Sequence, residues 1–186
     1  MKILLQCVIL LMVSFGTAQE KNEWKLVKDI EKGYRINFPS DVKSTVQDVT
    51  TAKGTVKMHT DVFQQKDLTF DQNLIYMTAF TRYPSSFFED GLASDESKHI
   101  VLNNAVDGAV KNTNGILISS DNIMFNGYLG RHSKIKIKDL YIIEMQTILV
   151  EFKLYLAQVI YEEKDEGNIN STRFFNSFEL IKVNEK

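Results

Sequence analysis

Three histidines, His59, His99 and His132, are the side chains best suited to proton transfer or metal ligation near neutral pH. None has a second histidine or a cysteine at the spacing of a zinc motif. His59 stands two residues before Asp61 on the polar side of an alternating stretch, and His99 follows Asp95 by four residues, the spacing of a local ion pair on a helix. His132 closes "NGYLGRH" (126–132) and begins a basic row, His132, Lys134, Lys136 and Lys138, that alternates with Arg131, Ser133, Ile135 and Ile137. Two readings of this stretch stand side by side. In one, glycine amides and the basic row form an interaction surface for a phosphate or an acidic partner. In the other, the glycines bend the chain into a strand with a solvated face, across which Glu144 and Gln146 meet the basic side chains. No G-x-G-x-x-G opens a helix, and no G-x-S-x-G elbow, P-loop or H-E-x-x-H is present. Catalytic, cofactor-binding and metal-ligating residues are therefore assigned to none.

Aromatic residues supply two further candidates. "YPSSFFEDG" places Phe87 and Phe88 in a connection, where adjacent rings could cap a groove or touch a partner, although the surface two aromatics bury favours core packing there. "RFFNSF" carries Phe174 and Phe178 at helical spacing, which reads as core packing.

The first residues have the layout of a secretory signal: Lys2, an apolar run to about Phe15, then Gly16-Thr17-Ala18. Cleavage is expected after Ala18, because the apolar run falls short of the roughly 20 residues a bilayer-spanning helix needs. "LLQC" around Cys7 resembles a lipobox, but the apolar run follows this cysteine instead of preceding it. The only cysteine thus leaves with the signal, which excludes a disulfide framework, thiolate metal sites and a cysteine nucleophile. An exported product in the periplasm or outside the cell follows, with no stable membrane anchor once residues 1–18 are removed. Lys and Arg number 22 against 24 Asp and Glu, and losing Lys2 widens the acid excess, which argues against nucleic acid as a partner.

The elements that must position these residues follow from periodicity. Residues 24–29 and 34–38 alternate around Glu31-Lys32-Gly33 and read as a hairpin. Stretches 43–52 and 55–65 flank Lys53-Gly54, and 73–83 is a third long strand closed by Pro84. After Ser94 the period changes: Leu102, Ala105, Val106, Ala109 and Val110 form one helical stripe, ended at Asn114-Gly115. A short strand at 116–119 leads to a meander of 130–139, 141–150 and 153–161. The last two are apolar on both faces and must be covered on both sides. The expected domain, residues 19–186, is α+β: an α/β/α sandwich on a mostly antiparallel sheet of roughly seven to nine strands. It has one long helix at about 94–113 and a short C-terminal helix.

The order of these landmarks resembles one group of proteins. "YRINFPSDV" resembles an F-x-V-x-F-P segment near the start of the domain, "GTVKMHTDVFQQ" a glycine-led hairpin arm, and "AFTRYP" a strand ending in Tyr-Pro. "GYLGRHSKIKI", "LVEFKLYLAQVI" and "RFFNSFEL" resemble its later strands and its closing F-F-x-S-F-x-L. Together they are similar to small exported bacterial members of the PsbP-like superfamily, which is named for an extrinsic photosystem II subunit and includes a Ran-binding import factor. The chain departs at Leu129, where proline is usual, and at Glu151-Phe152, where a turn glycine is common. The resemblance implies an α/β/α sandwich and a non-catalytic role in binding or assembly.

Three functions remain in competition: a non-catalytic module that binds another envelope protein, a carrier of a small apolar or lipid ligand beneath Phe87-Phe88, and a hydrolase built on His59 or His132. No cofactor is expected.

Overall fold

In the computed structural model, residues 23–66 and 71–181 are described. The expected signal over 1–18, with Cys7, lies outside them. Strands β1 (Lys25–Asp29), β2 (Tyr34–Phe38), β3 (Lys43–Thr51), β4 (Gly54–Gln64) and β5 (Asn73–Arg82) come first. A 3-10 turn over Ser85–Phe87 and helix α1 (Asp95–Thr113) follow. Then come β6 (Ile116–Phe125), β7 (Tyr128–Ile137), β8 (Tyr141–Val150), β9 (Lys153–Glu162), α2 (Ile169–Asn176) and the short β10 (Glu179–Leu180).

Seven strands pair in the order β3-β4-β5-β9-β8-β7-β6, every neighbour antiparallel. The α+β class holds, with a division not legible in the sequence. The first hairpin does not join the main sheet; β1, β2 and β10 form a separate three-stranded sheet. That small sheet and α2 cover one face of the large sheet, and α1 covers part of the other.

The alternation of β8 and β9 explains the layering. Ile142, Ile148 and Val150 point to the α2 side together with Tyr155, Val159 and Tyr161. Ile143, Met145 and Leu149 point to the α1 side. On the α2 side the core is aromatic. Phe174 meets Phe38 at 5.2 Å and Tyr76 at 5.1 Å between ring centres, and Tyr34 stacks on Phe178 at 5.9 Å. Phe178 lies beyond the last residue of α2, so the two phenylalanines share a core without sharing a helix.

Tyrosines buried in this layer keep hydroxyl partners, as buried phenols must. Tyr155 donates to the Lys32 carbonyl at 2.7 Å, and burial pushes its phenol up to about 12. α2 is fastened by a buried amide network. Asn168 caps the helix by accepting from the Ser171 backbone N–H, and exchanges two side-chain hydrogen bonds of 2.9 and 3.0 Å with Asn73.

Strand β6 extends to Phe125, well past the short strand expected to end at Ser119. Ser-Ser-Asp-Asn resembles a loop, yet pairing with β7 holds it extended. The turn in "NGYLGRH" is Asn126-Gly127, both at positive φ, the two-residue hairpin that suits strand twist. Gly130 already lies inside β7, where a Cβ would stand 2.5 Å from the Thr147 carbonyl oxygen.

Candidate functional site

α1 is anchored by Leu102 and Val106. Leu102, 0% exposed, packs with Leu92 and Leu149, while Val106 packs on Ile135, Ile143 and Met145 of β7 and β8. Ser94 caps the helix by accepting from the Ser97 N–H at 3.1 Å, and Asn114 ends it in the left-handed conformation. The helix therefore stands over β7 and β8, and its one layer does not reach across the seven strands. The same side of β4, β5 and β9 is left as the floor of a groove of about 1230 Å³.

The floor is aliphatic. Met58 from β4, Met77 and Ala79 from β5, and Leu156 and Ile160 from β9 line it, with Gln158 among them. Val101, Ala105, Gly108 and Ala109 of α1 form one wall, and Val49 and Thr51 near the β3–β4 turn form the other. Ile100 lies at the rim, 54% exposed.

One end is closed by the connection that carries Phe87 and Phe88. The Phe87 ring covers Gly54, where a Cβ would meet its Cζ at 2.8 Å; Gly54 has φ +141°, so the position is doubly suited to glycine. Lys53 Nζ donates to the Phe87 carbonyl at 2.6 Å, tying this connection to the hairpin. Phe88 turns inward, stacking on Phe152 at 5.8 Å and meeting Tyr83 edge-on at 5.9 Å. Burial pushes the Tyr83 phenol up. Asp90 accepts from the Leu92 N–H at 3.0 Å, and its carboxyl is held below the usual range by its hydrogen bond with Ser97 and by that amide.

The basic row lies on the opposite side of the sheet, so the two candidate groups are not brought together. His132 Nε2 is 2.8 Å from Glu144 Oε1, and Tyr161 donates to Glu144 Oε2 at 2.7 Å. Burial pushes the Glu144 carboxyl up, but hydrogen bonds from His132 and Tyr161 and the charge of Lys134 outweigh it, and the net shift is downward. Lys134 is bound by Glu166, and Lys136 by Glu163 at 2.8 Å; each ammonium is raised by that hydrogen bond. Lys138 falls outside the row. It and Asp139 make the β7–β8 turn at φ 51° and 55°.

His59 lines a polar recess of about 320 Å³ with Asp61 and Ser44. Ser44 and Tyr34 both donate to Asp61, so the histidine does not stand between serine and carboxylate as a triad requires. His99 forms no pair with Asp95, which is bound by Lys98 at 3.0 Å instead; the His99 Nδ1 is buried without a partner among the described residues. No group of three or more His, Cys, Asp or Glu that could hold a metal ion occurs among the described residues. Among them, too, no helix is long and apolar enough to cross a membrane.

Phe87 and Phe88 thus belong to the groove, but its floor was not legible in the sequence. Met58, Met77 and Leu156 carry the same alternation as any core strand, and only the lateral position of α1 leaves them uncovered.

No family model and no curated protein matches the chain. Among solved structures, it is similar to the solution structure of cyanobacterial PsbP (CyanoP) from Synechocystis sp. PCC 6803. The TM-score is 0.51 at 15% identity, over 84% of this chain and 92% of that one. At that identity the likeness is one of architecture, and the chain has the PsbP-like fold.

Proposed function

We propose that the protein is an exported, non-catalytic binding module that carries an elongated apolar molecule in the groove beside α1. The observation that supports this reading is the aliphatic floor of β4, β5 and β9, left open beneath a volume of about 1230 Å³. Small-ligand pockets commonly span roughly 300–1,000 Å³, so the space suffices for a large lipid-like molecule. The groove runs along α1 from Ser97 to Thr113, roughly 24 Å at the helical rise, a length suited to a long acyl chain.

The floor chemistry narrows the occupant. It presents aliphatic and thioether side chains without an aromatic platform, which favours a flexible chain over a planar ring system. It is also a sheet face and not a sheet edge. An extended peptide lying there would find no backbone partners for its own N–H and C=O groups. A partner protein of the envelope, the competing reading, would have the exposed Ile116, Leu117, Ile118 and Met124 of the edge strand β6 to dock on, but these enclose no volume comparable to the groove. The basic row that would serve an acidic partner has carboxylates bound to His132, Lys134 and Lys136.

Native mass spectrometry of protein purified from its own host tests the proposal, together with uptake of the neutral probe N-phenyl-1-naphthylamine. A retained apolar ligand or one-to-one probe binding is expected, and Ala79→Trp, which fills the floor, removes it. No ligand and no probe uptake by the folded wild-type protein would sink the reading.

A further inference from the structure

We infer that the occupant is uncharged where it lies on the floor and carries one hydrogen-bonding group, an ester, amide or hydroxyl, that meets the side chain of Gln158. The inference rests on the groove reading above and specifies the ligand it takes.

β9 turns Leu154, Leu156, Gln158 and Ile160 toward the groove, three aliphatic side chains and one amide. Register places Met77 of β5 on one flank of Gln158 and Met145 of β8 on the other. Gln158 is half-buried, and its amide has no hydrogen-bond partner among the described residues. An amide offers two donors and two lone pairs, and its methionine neighbours supply only weak acceptors. A hydrocarbon laid over Gln158 would strip its water and return nothing, a loss on the order of tenfold or more in affinity. A ligand carbonyl or hydroxyl at that point would replace the lost water.

Charge along the groove supports the same ligand class. The charged lining residues, Lys53, Glu89 and Asp90, all stand at the end closed by Phe87. Two of them are engaged: Lys53 with the Phe87 carbonyl, and Asp90 with the Leu92 amide. Along its length the groove offers only neutral polar groups, among them Ser97, Asn104 and Asn112 on α1 and Thr81, Thr147 and Gln158 on the sheet. An ionised head group placed there would be desolvated without a counter-charge.

The test uses the full chain and five single-chain probes: hexadecane, methyl palmitate, 1-hexadecanol, palmitate and hexadecyltrimethylammonium. Each is titrated against bound N-phenyl-1-naphthylamine. Methyl palmitate or 1-hexadecanol should displace it at concentrations about tenfold below hexadecane and below either ion. The stronger of the two shows whether the amide donates to a carbonyl or also bonds a hydroxyl. Gln158→Leu, or Gln158→Met should the leucine variant fold poorly, should close most of that gap by improving hexadecane and weakening the ester and alcohol. If the ions match the neutral probes, or if the gap survives in the folded variant, the inference is overturned and the groove reading stands. If none of the five displaces the probe, both fall together.

Discussion

Glu144 offers the sharpest test of how the α2 side is held together. Its side chain is buried, with the residue 9% exposed, and both oxygens are used: Oε1 with His132 at 2.8 Å and Oε2 with the Tyr161 hydroxyl at 2.7 Å. The folded-state pKa is depressed below the ordinary value of 4.5. A depressed carboxylate contributes stability that is present above the unfolded pKa and is lost as pH falls through the folded one. Glu144→Gln keeps the shape and one acceptor for Tyr161 but removes the charge that His132 and Lys134 face. Losing charge-assisted hydrogen bonds at a buried site costs about 1–3 kcal/mol, so the variant should be less stable by that amount at pH 7. The difference should shrink as pH drops below about 4.5 and the wild-type carboxyl takes up its proton. Urea unfolding of both proteins at pH 7, 5, 4 and 3 measures it, and subtraction cancels the other acids, including Asp29, whose carboxyl is also lowered. A penalty that stays constant from pH 7 to pH 3 would refute the electrostatic account and leave only packing.

Two further predictions address backbone and network. Glu151 turns β8 into β9 at φ 52°, a conformation that costs a non-glycine residue roughly 1 kcal/mol, so Glu151→Gly should raise the melting temperature by about 2–4 °C; differential scanning calorimetry reads the shift. Asn168→Ala removes the α2 cap and both hydrogen bonds that Asn168 exchanges with the fully buried Asn73 amide, which keeps Asp71, Tyr76 and Ser171 as partners, for a combined cost of about 2–4 kcal/mol in urea titrations.

What the sequence discloses of this fold is what periodicity can carry. Ile142, Ile143, Ile148, Leu149 and Val150 require cover on both faces of β8, and the structure provides it with α1 on one side and α2 with the small sheet on the other. Ser94, Leu102, Val106 and Asn114 mark α1 to within a residue. Long-range pairing is another matter. Nothing local in "YRINF" says that β2 pairs with Glu179 and Leu180 instead of entering the large sheet, because its alternation serves either sheet equally. The ion pairs of Lys134 with Glu166 and Lys136 with Glu163 join residues some thirty positions apart, and only the fold of the β9–α2 connection brings them close.

The two faces of the large sheet make the case for where function resides. On the α2 side, apolar packing is dense and aromatic, phenols are satisfied, and His132, Lys134 and Lys136 have carboxylates in contact. On the α1 side, the helix carries small residues, Ala105, Gly108 and Ala109, toward the groove, and they do not fill the space above Met58, Met77 and Leu156. A face that needed only stability would close this gap, since open apolar surface forgoes about 25 cal/mol for each Å² left in water. Ala105→Leu and Ala109→Leu together would extend α1 over the floor. A protein that used the groove for nothing would gain stability from that change and lose no property. For a carrier, the same change should raise stability and abolish probe uptake together, the opposition expected where a binding site is kept open at the expense of the fold.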